Sequence, residues 1–150
     1  MSSYRRSKSW FYNSIYVSFR DGRYEDGLNN ASSYRLVQSS ASFRKVYDSL
    51  TRVLDNIINK KENELNESWQ GILSAIARLN ILIEYQKNRG VLNQDLADGM
   101  KDALADLMRS LRSNPQQAKK EAEALKMALD ATLAYKIVVK KREEEEEEFL

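Results

Sequence analysis

The chain has 150 residues, of which 42% are hydrophobic and 31% charged, and its formal net charge is +2. This length suits one domain with its own core. The chain contains neither cysteine nor histidine, which excludes disulfide frameworks, the usual zinc ligands and Ser-His or Cys-His nucleophile pairs, so we expect a non-enzymatic protein without metal or cofactor.

Residues 1–38 are rich in aromatic and cationic side chains, and we expect them to form an N-terminal extension. Within them, "SWFYNSIYVSF" fits a short helix, whereas "DGRYEDGLNNASS" is typical of turns and loops. Aromatic and arginine side chains suit both protein interfaces and single-stranded nucleic acid. We favour docking on a neighbouring protein. The aromatic residues are Tyr4, Trp10, Phe11, Tyr12, Tyr16, Phe19, Tyr24 and Tyr34.

Residues 39–142 show apolar positions at three- and four-residue steps, which predicts four long amphipathic helices. The first is expected to begin at a cap formed by Ser39 or Ser40 and to end near Lys60. The second is apolar on several sides, so we expect it to be the most buried helix. Gly90 is a typical stop for it.

The third and fourth helices have clear start signals. Asn93 and Asn114 are expected N-caps, and Pro115 suits the first helical position. Short connections make successive helices antiparallel neighbours. The prediction is therefore an all-α protein, an antiparallel up-down bundle of about four long helices with an aromatic N-terminal extension.

The six consecutive glutamates Glu143–Glu148 contribute −6, so the rest of the chain carries +8. We expect residues 143–150 to be an acidic tail after the bundle, either a frayed helix end or a disordered segment. The basic body indicates a polyanionic partner, with nucleic acid as the first candidate. The sequence has no recognisable signal peptide and no apolar run of about 20 residues, which predicts a cytoplasmic protein with no membrane partner.

Cationic side chains recur at spacings that place them on one side of a helix. Residues seven or eleven apart nearly superimpose, so Arg78, Tyr85 and Arg89 form one line, the Arg-Tyr-Arg stripe. Guanidinium groups suit phosphate, and a tyrosine ring can stack on a base. The alternative is a solvated surface with Arg78 paired to a glutamate and Tyr85 in the core. The predicted RNA-binding residues are Arg44, Lys45, Arg52, Arg78, Tyr85, Arg89 and Lys136.

Four aspartates, the acidic row, lie at three- and four-residue spacings on the third helix. They are Asp95, Asp98, Asp102 and Asp106. Carboxylates in this pattern could hold Mg²⁺. The solvent face of an amphipathic helix has the same pattern, and we expect that alternative and no metal site.

Three stretches occur in the same order as in a known family. "SSASFRKVYDSL" (39–50), "LNILIEYQKNRG" (79–90) and "LDATLAYKI" (129–137) together resemble the small helical subunit of type III, Csm-type CRISPR interference complexes. The resemblance covers about 110 residues from Ser39 onward. It implies a non-catalytic structural subunit.

The resemblance implies that copies of the subunit stack along a filament that also holds the guide RNA. Arg44, Lys45, Arg78 and Arg89 would then contact the backbone of guide and target RNA without reading sequence. Partners would be both RNAs, other subunits of the effector complex and copies of the same chain. The residues alone leave a second function open, a helical-bundle protein-interaction subunit, such as a virion coat or adaptor, with no RNA role.

Overall fold

The computed structural model describes residues 7–36, 38 and 40–148, with side chains for 7–36, 38 and 41–135. All regular structure in these residues is helical, which confirms the all-α class. None of the helices in the part described is long and apolar enough to cross a membrane. The elements are a π-helix at Phe11–Tyr16 and the α-helices α1 Val17–Arg20, α2 Tyr24–Ser33, α3 Ser40–Asn59, α4 Glu62–Asn88, α5 Gln94–Ser113 and α6 Pro115–Glu148.

Polar side chains set helix boundaries where the sequence predicts them. Asn93 and Asn114 each accept, through Oδ1, a hydrogen bond from the backbone N–H three residues on, at 3.1 and 3.2 Å. Gly90 follows α4 with a φ of 76°, a left-handed conformation that glycine adopts without steric cost. The predicted α3 caps, Ser39 and the side chain of Ser40, lie outside the described atoms.

The four longest helices, α3–α6, surround an apolar interior. α3 packs against α4 and α6, and α5 packs against the same two helices. Each fully buried leucine or isoleucine stabilises this packing by about 1.5 to 3 kcal/mol relative to an exposed side chain. Fully buried side chains from these helices include Leu50, Leu54, Ile57, Leu65, Ile76, Ile83, Leu96, Met100 and Leu104.

The N-terminal segment is part of the same core. The π-helix packs on α5 and α6, and α1 and α2 both pack on α6. The side chains of Phe11, Tyr16, Phe19 and Tyr34 are buried there. The expectation that the aromatic residues of this segment dock on another protein is therefore wrong for these four, which bury against apolar side chains of their own chain, whereas Trp10 and Tyr24 remain exposed.

Helix α2 occupies residues that the sequence predicts as turns and loops. Its glycine, asparagine and serine residues are weak helix formers, but tertiary packing overrides such preferences. Gly27 and Ala31 are buried, and a Cβ at Gly27 would lie 2.8 Å from Cζ of Phe19. The close packing of α2 against α1 therefore depends on the absence of a side chain at this position.

Helix α4 has one exposed face, so the expectation that it is the most buried helix is wrong. Ile81 is 69% exposed and Ala77 is also exposed. Helix α5 has more buried positions over a shorter length. The reason is that α5 is covered by α4, α6 and the π-helix, whereas α4 packs mainly on α3 and α5.

Candidate nucleic-acid interface

The Arg-Tyr-Arg stripe is exposed along its whole length. Tyr85 is 58% exposed, and Arg78 makes no hydrogen bond or ion pair with any residue whose side chain is described. The guanidinium carbon of Arg89 lies 5.4 Å from the centroid of the Tyr85 ring, and its Nη1 donates to Oε1 of Gln86 at 3.3 Å. Neither alternative, a glutamate partner for Arg78 or a core position for Tyr85, is found.

Ion pairs locate the stripe on the side of α4 that faces away from α5. Glu84 pairs with Lys101 of α5, and Lys87 Nζ lies 2.9 Å from Oδ1 of Asp98, also on α5. The three stripe residues lie roughly 100 to 180° around the helix from Glu84 and Lys87 at ~100° per residue. A polyanion can therefore approach the stripe without meeting the carboxylates of the α4–α5 interface.

The α3 cations divide between two sides of that helix. Lys45 and Arg52 are exposed, and the described residues give them no ion pair. Arg44 is exposed too, but it lies within about 20° of Asp55, which pairs with Lys126 of α6, so it faces the α6 side. The sequence reasoning also passed over Asp48, which lies one turn from Arg52 and lowers the net positive charge of this face.

Lys136 belongs to α6, and its side chain lies outside the described atoms. Among the described residues, none of the other predicted cations takes part in an ion pair between two long helices. Those pairs use lysines at other positions, such as Lys126, whose Nζ lies 2.5 Å from Oδ1 of Asp55. The predicted cations are thus not needed for holding the helices together.

An apolar neighbour of the stripe was missed by the sequence reasoning. Ile81 lies one turn before Tyr85 on the same exposed side of α4, and it is the most exposed large hydrophobic residue among the described side chains. The signal was present in the sequence, because Ile81 falls outside the three- and four-residue repeat of the core positions. The interface therefore combines guanidinium groups with an exposed aromatic ring and an aliphatic side chain.

The acidic row has a role that the sequence did not indicate. The carboxylate of Asp95 accepts hydrogen bonds from the backbone N–H groups of Trp10 at 2.7 Å and Phe11 at 3.0 Å. It also accepts one from the hydroxyl of Tyr34 at 2.5 Å. Burial, followed by this hydrogen bond, raises the pKa of Tyr34. Asp95 therefore fastens both ends of the N-terminal segment to α5.

The other three aspartates also have partners within the chain. Asp98 pairs with Lys87, Asp102 accepts from the hydroxyl of Ser7, and Asp106 accepts from the hydroxyl of Tyr12. Within the described residues, no group of three or more acidic side chains could hold a metal ion. The solvent-face interpretation of the row is wrong for Asp95, Asp102 and Asp106, because the N-terminal segment covers that face of α5.

One buried carboxyl group lies below this segment. Glu121 of α6 is 6% exposed, and burial raises its pKa while hydrogen bonds from Ser110 and Gln117 act in the opposite direction. Its Oε1 and the hydroxyl of the fully buried Tyr16 have no hydrogen-bond partner among the described atoms. Both side chains are buried in the core, so we expect them to affect the stability of the fold.

Comparison with protein-family models, with curated proteins and with solved structures finds no match to the chain. The resemblance to the small subunit of Csm-type complexes therefore stays a prediction from its three sequence stretches.

Proposed function

We propose that the protein is a non-catalytic structural subunit that binds RNA through a basic face, as the resemblance to type III CRISPR effector complexes implies. In this proposal it acts in the cytoplasm, where its copies stack in a filament with other subunits of the complex. It contacts the backbone of the guide and target RNA, and it carries out no chemical step. Phosphate contacts of this kind fix the position of a strand without reading its sequence.

The observation that supports this proposal best is the pair of exposed guanidinium groups on one side of α4. Arg78 has no ion pair among the described residues, and Arg89 is held only by a neutral amide and an aromatic ring. A guanidinium group that is not paired with a carboxylate can form charge-assisted hydrogen bonds with a phosphate. Lys45 and Arg52 are two further exposed cations, and they lie on α3, which packs against α4.

The proposed arrangement of the long helices is an antiparallel up-down bundle. On α4 and α5, Glu84 pairs with Lys101 and Lys87 with Asp98, so the partner number falls as the residue number rises. Contacts between α6 and α3 follow the same order, and they are Lys119 with Ile58, Lys126 with Asp55 and Asp130 with Tyr47. Such a bundle would set the outer faces of α3 and α4 side by side.

The test is the double charge reversal Arg78→Glu plus Arg89→Glu, measured as RNA affinity over a range of salt concentrations. Each lost phosphate contact reduces the log–log salt slope by about 0.7 on a single strand, so two contacts reduce it by about 1.4. Both side chains are exposed, so the fold should be unaffected, and circular dichroism checks this. An unchanged salt slope in the folded double variant would reject the proposed interface.

A matched control separates a specific interface from net charge. Arg112→Glu plus Lys120→Glu changes the charge by the same amount at two exposed cations on α5 and α6, which have no ion pair in the described part of the chain. We expect this control to keep the wild-type salt slope. Equal losses in both double variants would mean that only the overall charge matters.

A second candidate function, a protein-interaction subunit such as a coat or adaptor, is favoured by a different surface. Tyr24, Leu28 and Met127 are 55%, 46% and 42% exposed, and α2 packs on α6. Tyr24 and Met127 line an open groove of about 500 Å³ together with Phe19. Exposed apolar groups of this kind often mark protein contacts. Under this function, neither double variant would change RNA binding.

A further inference from the structure

We infer that Tyr85, with Ile81 beside it, is a stacking platform for an unpaired base, so that the Arg-Tyr-Arg stripe prefers single-stranded RNA to duplex RNA. This inference rests on the proposed function, because it assumes that the stripe meets RNA. It adds a preference for single-stranded over double-stranded RNA, which the charge of the stripe alone does not determine.

The first argument is that two large apolar side chains are exposed next to each other without a covering partner. Tyr85 is 58% exposed and Ile81 is 69% exposed, one helical turn apart and ~6 Å along the axis. Arg78 and Arg89 flank them, at ~10 Å and ~6 Å from Tyr85 along the same axis. An aromatic ring between two cations is the arrangement that single-strand binding sites use.

The second argument is that the ring is already oriented. The Arg89 guanidinium lies over the Tyr85 ring at 5.4 Å from its centroid, and Arg89 is itself held by the buried Gln86. A ring with a restricted orientation loses less conformational entropy when a ligand binds. More than half of the Tyr85 side chain remains exposed, which leaves room for a base.

The third argument concerns what each form of RNA offers. In a duplex the bases stack on one another, so an external ring meets only backbone and groove edges. In a single strand the bases are free to stack on an aromatic side chain, and the aliphatic Ile81 can contact the same base or its sugar. Tyr85 therefore adds affinity for the unpaired form, while the arginines serve both forms.

The test compares binding of the full chain to a single-stranded oligouridine of about 12 nucleotides and to an RNA duplex of the same length. Tyr85→Leu keeps an apolar side chain of good helix propensity but removes the ring, and Tyr85→Trp keeps an aromatic ring. The matched control is Tyr24→Leu, a tyrosine of similar exposure, 55%, on α2.

We expect Tyr85→Leu to weaken single-strand binding about fivefold or more and duplex binding less than twofold. Tyr85→Trp should retain the single-strand affinity, and Tyr24→Leu should change neither affinity. If Tyr85→Leu lost affinity equally for both RNAs, or for neither, the proposal of a stacking platform would be overturned. Those results would leave the charge-reversal test of the interface intact, whereas failure of the wild-type chain to bind either RNA would overturn both proposals.

Discussion

Replacing Asp95 by alanine should loosen the N-terminal segment from α5. The variant leaves three donors without their carboxylate, namely the backbone N–H groups of Trp10 and Phe11 and the hydroxyl of Tyr34. The N–H of Trp10 is at an exposed position and can bond to water, but Phe11 and Tyr34 are buried. At the lower end of the usual cost for an unsatisfied buried donor, two such donors cost about 2 to 3 kcal/mol.

Urea unfolding of wild type and variant measures this loss of stability. For a chain of this size, the same loss lowers the melting temperature by about 5 to 10 °C. Asp98→Ala is the control, since Asp98 lies one turn further along α5 in a partly exposed pair with Lys87 and should cost less than about 1 kcal/mol. Amide exchange should rise first in residues 7–34. A loss for Asp95→Ala no greater than that for Asp98→Ala would refute the fastening role of Asp95.

Two further changes test the core below the segment. Burial raises the pKa of Glu121 above its usual 4.5, so the folded protein binds this proton more tightly than the unfolded chain does. The stability that the proton contributes is therefore complete below about pH 4.5, and it is lost as the pH rises through the pKa of the folded state. Glu121→Gln should therefore gain stability over wild type as the pH increases from 4.5, by up to about 1.4 kcal/mol per pH unit, and a pH-independent difference in urea unfolding would contradict this. Gly99→Ala should cost about 1 to 3 kcal/mol in the same assay, because the new Cβ would lie 2.8 Å from Cδ2 of Phe11. Gly71 is an exposed helical glycine, and a new Cβ there would have no atom within 4 Å apart from the neighbouring backbone of its own helix. Gly71→Ala should therefore gain up to about 1 kcal/mol, and a loss of stability at both glycines would contradict the packing explanation.

Local signals were enough to predict the all-α class and several helix boundaries. The caps Asn93 and Asn114 and the stop at Gly90 act through atoms a few residues away, so the sequence around them carries the information. The exposure of Arg78 and Tyr85 could be predicted for a similar reason, because helical periodicity places them away from the apolar repeat.

The predictions that are wrong concern contacts between distant parts of the chain, whereas Asp48 and Ile81 could have been recognised from helical spacing alone. Helix α2 has poor local preferences, and it is stabilised by packing on α6, which no nearby residue indicates. An acidic row has the same spacing whether it meets water, a metal ion or backbone N–H groups 84 residues away, as Asp95 does. Aromatic residues near a terminus likewise suit an external partner or the chain's own core, and only the tertiary structure distinguishes these outcomes.

The bonds from Asp95 to the first helical turn also constrain the order of events during synthesis. Phe11 leaves the ribosome 84 residues before its carboxylate partner, a delay of about 4 to 17 s at 5 to 20 residues per second. During that interval the aromatic side chains of the segment have no α5 or α6 surface on which to pack. The buried packing of Phe11 on α5 therefore forms only after the chain has been synthesised as far as that helix.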